Sequence, residues 1–156
     1  MHMRRKDREL LPEEALQIAD ACPFATLSLL DENGAPYGVP VTIVREGDAV
    51  YFHSALEGRK IRALKKNPAV SISCVSEAEV SQKDFTVYYS SAVLEGLAEE
   101  LTEKEEKLHA LELLCRRHTP RLMEGFEAYT QRLLNAAGVW KITVASVSGK
   151  RNRKPE

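Results

Sequence analysis

Only three cysteines, Cys22, Cys74 and Cys115, occur in the 156 residues of this chain. They are odd in number, widely spaced and outside any CxxC or CxxH arrangement. That excludes a disulfide framework and a zinc site, and leaves three reduced, packed thiols as the expectation. No single sign of charge dominates: 22 Lys and Arg oppose 23 Asp and Glu, for a net charge of -1. Lacking an overall positive field, the chain has no electrostatic means of gathering nucleic acid or an anionic membrane surface. No apolar run approaches the roughly 20 residues that cross a bilayer. The opening MHMRRKDREL has no apolar stretch of the signal-peptide kind, so the expected address is the cytoplasm. His2 and Met3, beside a second methionine, look like a cloning remnant and are excluded from functional reasoning. No GxGxxG follows a strand-like run, which excludes a dedicated Rossmann site, and no GxSxG elbow surrounds any serine.

What is present is a 44% hydrophobic chain of single-domain length. The expected domain covers residues 1–148, with 149–156 as a basic tail. Residues 12–21 open on proline and place Ala15, Leu16, Ile18 and Ala19 at helical spacing. Strand-like runs follow at 24–30 and 36–44, joined by Asp31-Glu32-Asn33-Gly34, and a third at 49–54 after a turn at 45–48. Further strands are expected at 69–75, 85–100 and 139–147, with Gly96 as the natural place for a bulge in the longest. Thr102-Glu103-Lys104-Glu105 has the form of a capping box, opening a helix that breaks at Thr119-Pro120, and a second helix is expected over 125–137. Successive strands with few crossing helices fit a closed antiparallel barrel better than a parallel doubly wound sheet.

The stretch 51–68 carries the chemistry. Tyr51-Phe52-His53-Ser54 ends a strand, and residues 58–67 form a short helix with Arg59 and Lys60 in its first turn. A helix start exposes free N–H groups and the positive end of the macrodipole, so cations there call for an anion. A bound phosphate would answer both; a solvated basic face accounts for the same residues without a ligand.

The order GAPYGVPVTIV, VYFHSALEGRKIRALKKNP, VSISC, FTVYYSSAVLEGLAEEL resembles the pyridoxamine 5'-phosphate oxidase-like proteins, and within them the branch related to nitroimidazole-resistance reductases. The similarity runs from about Arg4 to Lys150. It implies a mainly β fold with flanking helices, a six-stranded antiparallel split β-barrel that forms a homodimer with FMN in clefts between subunits. By this resemblance Pro40, Val41 and Thr42 lie along the flavin ring, and Tyr51, His53 and Ser54 meet the ring and ribityl chain. Gly58, Arg59 and Lys60 match the phosphate-binding turn. Tyr89 and Ser91 match a Tyr-x-Ser pair that often has Arg between its members; here that residue is Ser90. Lys150 is retained as a cofactor residue because the similarity extends to Ser148-Gly149-Lys150. The additional basic residues of the true oxidases are not matched around Trp140, so vitamin B6 oxidation is not the default activity.

Among the remaining candidates, His53 is the one histidine expected beside the cleft, as a ligand contact or proton donor, or simply as a structural strand-end residue. His109 and His118 read as surface or helix-end residues, Trp140 as core or dimer interface, and no metal site is expected. The function expected is an FMN-dependent oxidoreductase, with NAD(P)H as a transient electron donor and a nitroaromatic or quinone as acceptor. The alternatives are a non-catalytic flavin- or haem-binding protein, for storage or sensing, and a cofactor-free basic-helix module.

Overall fold

The computed structural model describes residues 3–155; Met1, His2 and Glu156 lie outside them. Eight strands form one sheet in which every pairing is antiparallel. In chain order these are β1 (Glu9–Leu10), α1 (Pro12–Ala21), β2 (Ala25–Leu30), β3 (Pro36–Val41), β4 (Val44–Glu46), β5 (Ala49–Ala55) and α2 (Arg59–Lys66). There follow β6 (Ala69–Val80), β7 (Val87–Glu100), α3 (Lys104–His118), α4 (Phe126–Leu133) and β8 (Ala137–Asn152). The sheet order is β3-β2-β6-β7-β8-β5-β4, with β1 added to β8.

Alternation along β5 explains how the sheet makes two cores. Val50 and Phe52 point inward with Leu27, Ile72, Leu94 and Ile142, forming the barrel core. Full burial of each such side chain contributes roughly 1.5–3 kcal/mol. Tyr51, on the opposite face, joins Val44, Val139, Leu111 and Leu114 in a second core under α3. Cys22 and Cys74 are buried in the barrel core.

The long strands depend on two close approaches. At Gly96 the β7–β8 register slips, pairing Glu95 with Ser146 but Gly96 with Val144, so Ala145 is the extra residue of a bulge. At Gly149 an added Cβ would come within 2.6 Å of the Ala15 Cβ, so glycine is what lets α1 lie against β8. Arg117, on α3, donates to three backbone carbonyls: Ile43 at 2.5 Å, Cys22 at 2.7 Å and Ala19 at 3.2 Å. It ties the end of α1 and the β3–β4 corner to α3.

Several expectations need correction. The run expected at 36–44 breaks after Val41; the six expected strands are present as β2, β3, β5, β6, β7 and β8, and the short β1 and β4 join the same sheet. The strand expected from residue 85 starts at Val87, because Phe85 adopts φ 49° in the preceding turn and is fully exposed. The capping box at 102–105 does not form: α3 is capped at Glu103 with no side-chain bond. Finally, residues 149–152 are not a tail. Lys150 pairs with Ser91 and Glu9, and Arg151 with Ser90, because β1 and β7 offer backbone partners to a segment whose side chains carry no apolar pattern.

Candidate functional site

The turn between β5 and α2 requires its glycine. Gly58 has φ 131° and ψ 175°, a region essentially closed to residues with a side chain, and nothing lies within 4 Å of where its Cβ would be. The first helical bond runs from Arg62 N–H to the Gly58 carbonyl, leaving the N–H groups of Arg59, Lys60 and Ile61 outside the intrahelical ladder.

The two cations of that first turn have different surroundings. Arg59 donates to Asp31 Oδ2 at 2.8 Å and lies 4.2 Å over the Tyr37 ring, so one anion called for by the helix start is an internal carboxylate. Asp31 also accepts from the N–H groups of Asn33 and Ala35, each at 2.9 Å. The guanidinium, and then those two bonds, hold its carboxyl below the usual carboxylate range. Among the described residues Lys60 has no such carboxylate partner. It is half-buried with its Nζ 5.7 Å from the Phe52 ring centroid, and burial alone pushes its pKa down.

His53 sits on the outer face of β5. Burial first, then the positive charges of Lys60 and His118, hold its imidazole below its ordinary 6.5. His118, read from the sequence as a helix-end residue, therefore belongs to this neighbourhood. Its Nε2 lies 2.8 Å from the Ile43 carbonyl and so donates, next to the Thr42 corner. Nothing local in the sequence connects residues 53 and 118; the connection is tertiary.

The depressed His53 pKa has a definite sign. The unfolded chain binds more protons below about pH 6.5, so this contribution to stability is present above that value and is lost as pH falls through the folded-state pKa. An NMR titration of His53 is expected to give a midpoint below 6.5 that rises in Lys60→Gln; a midpoint at or above 6.5 in the native protein would contradict this environment.

The remaining predicted residues divide into separate places. Pro40 and Val41 end β3, and Thr42 lies exposed at the β3–β4 corner. Ser54 is buried and donates to the Ala55 carbonyl at 2.9 Å. The Tyr51 side chain turns away from α2: its ring meets His109 edge-on at 6.4 Å and lines a pocket of about 280 Å³ with Leu101, Glu105, Glu106 and Lys141. Burial raises the Tyr51 pKa there.

Tyr89, Ser91 and Lys150 are far along the sheet. His53 pairs with Val139 and Ser91 with Lys150, and those eleven steps of β8 amount to about 36 Å of contour at ~3.3 Å per residue. Of these three, Tyr89 lines a groove of about 540 Å³, together with Tyr88, Ser90, Arg151 and Asn152. There Arg151 Nε donates to the buried Ser90 hydroxyl at 2.9 Å, so a guanidinium from β8 lies directly beside the serine of the Tyr-Ser-Ser run. Among the described residues no group of three His, Cys, Asp or Glu side chains is arranged to hold a metal ion, and no helix is long and apolar enough to cross a membrane.

A split barrel of antiparallel strands with a glycine turn feeding a cationic helix start defines a class, and the sequence agrees with it. Residues 12–151 match the family model described as pyridoxamine 5'-phosphate oxidase, and the chain belongs to that family. Among solved structures, a protein of Bacteroides thetaiotaomicron described as a 5-nitroimidazole antibiotic resistance protein superposes with a TM-score of 0.78 at 27% identity, over 91% of this chain and 85% of that one. The FAD and haem binding protein of Mycobacterium smegmatis gives 0.79 at 23% identity, over 96% and 76%. The haem storage protein of Vibrio cholerae gives 0.65 at 17%, over 88% and 92%; the last two show the fold alone. No curated protein sequence matches the chain.

The site fits a phosphate-bearing cofactor on the evidence of its own atoms. Gly58 leaves open space, three N–H groups of α2 are free of the ladder, and the half-buried Lys60 belongs to the same first turn.

Proposed function

We propose that the protein is an FMN-dependent oxidoreductase that works as a homodimer. The observation that carries the reading is the first turn of α2, where the half-buried Lys60 has no carboxylate partner among the described residues and three helix N–H groups lie outside the ladder. A cation desolvated without a partner is costly, and a phosphate dianion would offset that cost while accepting from the N–H groups. When bound, the flavin would supply electron transfer from a reductant such as NAD(P)H to a small acceptor such as a nitroaromatic or quinone.

The chain's own residues then have distinct tasks. Lys60 and the α2 N–H groups hold the phosphate. Arg59, pinned by Asp31 and Tyr37, fixes the turn and adds positive potential without leaving its carboxylate. His53, neutral at physiological pH, borders the ring as a hydrogen-bonding group able to take up a proton. The Thr42 corner lies beside it. The separation of Tyr89, Ser91 and Lys150 from this cluster supports the dimer, since a second copy would bring its own Tyr89, Ser91 and Lys150 to complete each cleft.

A binding protein without turnover is the second reading. Two structural relatives are described as haem-binding or haem-storing, and the lowered His53 pKa keeps an imidazole lone pair available. One experiment separates these: the visible spectrum of the purified protein with added FMN or haem, followed by anaerobic NADH or NADPH. A flavin spectrum that bleaches supports the oxidoreductase. Bound flavin inert to both donors, or a haem Soret band alone, favours the binding reading. Failure to take up flavin overturns the FMN assignment.

A further inference from the structure

Gly138 opens a notch in the wall of β8, and three polar atoms surround it. A Cβ added at Gly138 would lie 3.2 Å from Ser54 Oγ, 3.2 Å from Trp140 Nε1 and 3.5 Å from Glu100 Oε1. Strand pairing causes the convergence, since Ser54 is opposite Gly138 and Glu100 is opposite Trp140. Trp140 is 2% exposed and stacked on Phe52, yet its indole N–H has no acceptor among the described residues. Leaving a buried donor unpaired costs about 1–3 kcal/mol, so the stacking that fixes the ring also fixes a demand for an acceptor.

The chemistry of the three atoms narrows what would meet that demand. The indole only donates. The Ser54 hydrogen is already given to the Ala55 carbonyl, so its oxygen faces the notch as an acceptor. The Glu100 carboxyl contributes acceptor oxygens. An ammonium cannot accept from the indole, and an anion would be repelled by Glu100. A neutral O–H satisfies both sides, because it accepts from the indole and donates to Ser54 or Glu100.

We infer that Ser54, Glu100 and Trp140, around the missing side chain of Gly138, bind one neutral hydroxyl oxygen. Two sources share this chemistry: an ordered water, and a hydroxyl of a polyol chain such as the ribityl group of a flavin. The second rests on the functional reading above, because Ser54 lies four residues before the Gly58 turn; the first does not.

The test uses the fact that Trp140 is the sole tryptophan, so the ¹⁵N-labelled full chain gives a single indole N–H signal. In the native protein that signal is expected at a hydrogen-bonded, downfield position. Gly138→Ala, which fills the notch, is expected to move it upfield; Glu100→Gln is expected to keep it downfield. Magnetisation transfer from a long-lived water to the indole in flavin-free protein identifies the water. A shift on adding FMN or riboflavin, absent with lumiflavin, identifies the polyol. A non-bonded shift in both free and FMN-treated protein overturns the inference. So does a signal unchanged in Gly138→Ala but displaced in Glu100→Ala, which would reveal a direct indole–carboxyl bond. Loss of the flavin reading alone is recognised separately, by absent FMN uptake with the water signature intact.

Discussion

Replacing Gly96 with alanine is expected to destabilise the protein by about 3 kcal/mol or more, and to lower the yield of folded chain. The new Cβ would lie 2.1 Å from the Thr143 carbonyl oxygen and 2.9 Å from its carbon. Both obstacles are backbone atoms of β8, so no side-chain rotation relieves the contact. Relief requires parting β7 from β8 at their bulge, in the middle of the pairing that also carries β1 and β5. Against a total stability of roughly 5–15 kcal/mol, this is a large fraction. Urea unfolding followed by circular dichroism checks it: with a slope of about 2 kcal/mol/M, the midpoint should fall by more than about 1 M. A midpoint unchanged from the native protein would mean that the bulge reshapes at little cost.

The largest functional effect is expected from Lys60→Gln. A charge-assisted bond to a phosphate from a half-buried ammonium is worth about 1.5–3 kcal/mol, or a loss of roughly 10- to 100-fold in FMN affinity. Riboflavin, with the same ring and ribityl chain but no phosphate, should bind the variant as it binds the native protein. Removing a desolvated cation should leave stability the same or slightly higher. Arg59→Gln should behave differently. Its guanidinium is held by Asp31 and Tyr37, so the variant should lose less FMN affinity and more stability. Titration of both ligands against both variants decides the matter. Equal losses for FMN and riboflavin in Lys60→Gln would remove Lys60 from any phosphate site.

The fold could be read from the sequence wherever the signal was local. Alternation around Val50 and Phe52, the turn at 31–34, the limits of α2 and the irregularity marked by Gly96, a register shift whose extra residue lies on β8, each have a signal within a few positions. What could not be read depended on partners distant in the chain. Asp31 is 28 residues from the arginine it neutralises, so nothing local shows that one of the two cations at the helix start is already paired. His118 joins His53 only because α3 folds back over β5. Residues 149–152, whose basic composition suggested a tail, are strand through backbone bonds that side-chain pattern does not encode. Alternation along β5 puts the Tyr51 ring under α3, where Leu111 and Leu114 supply partners distant in the chain.

The Arg117 clamp has a kinetic meaning. Its acceptors lie 74, 95 and 98 residues away along the chain, so the full set of three bonds closes only once the β3–β4 corner, the N-terminal helix and α3 have met. Closing such long loops costs entropy before the bonds repay it, so contacts of this range do not speed assembly. They act on the reverse path: the seam between α1, the β3–β4 corner and α3 must part before the barrel opens. Because the guanidinium is satisfied by neutral carbonyls rather than carboxylates, acidification does not titrate the acceptors of this latch.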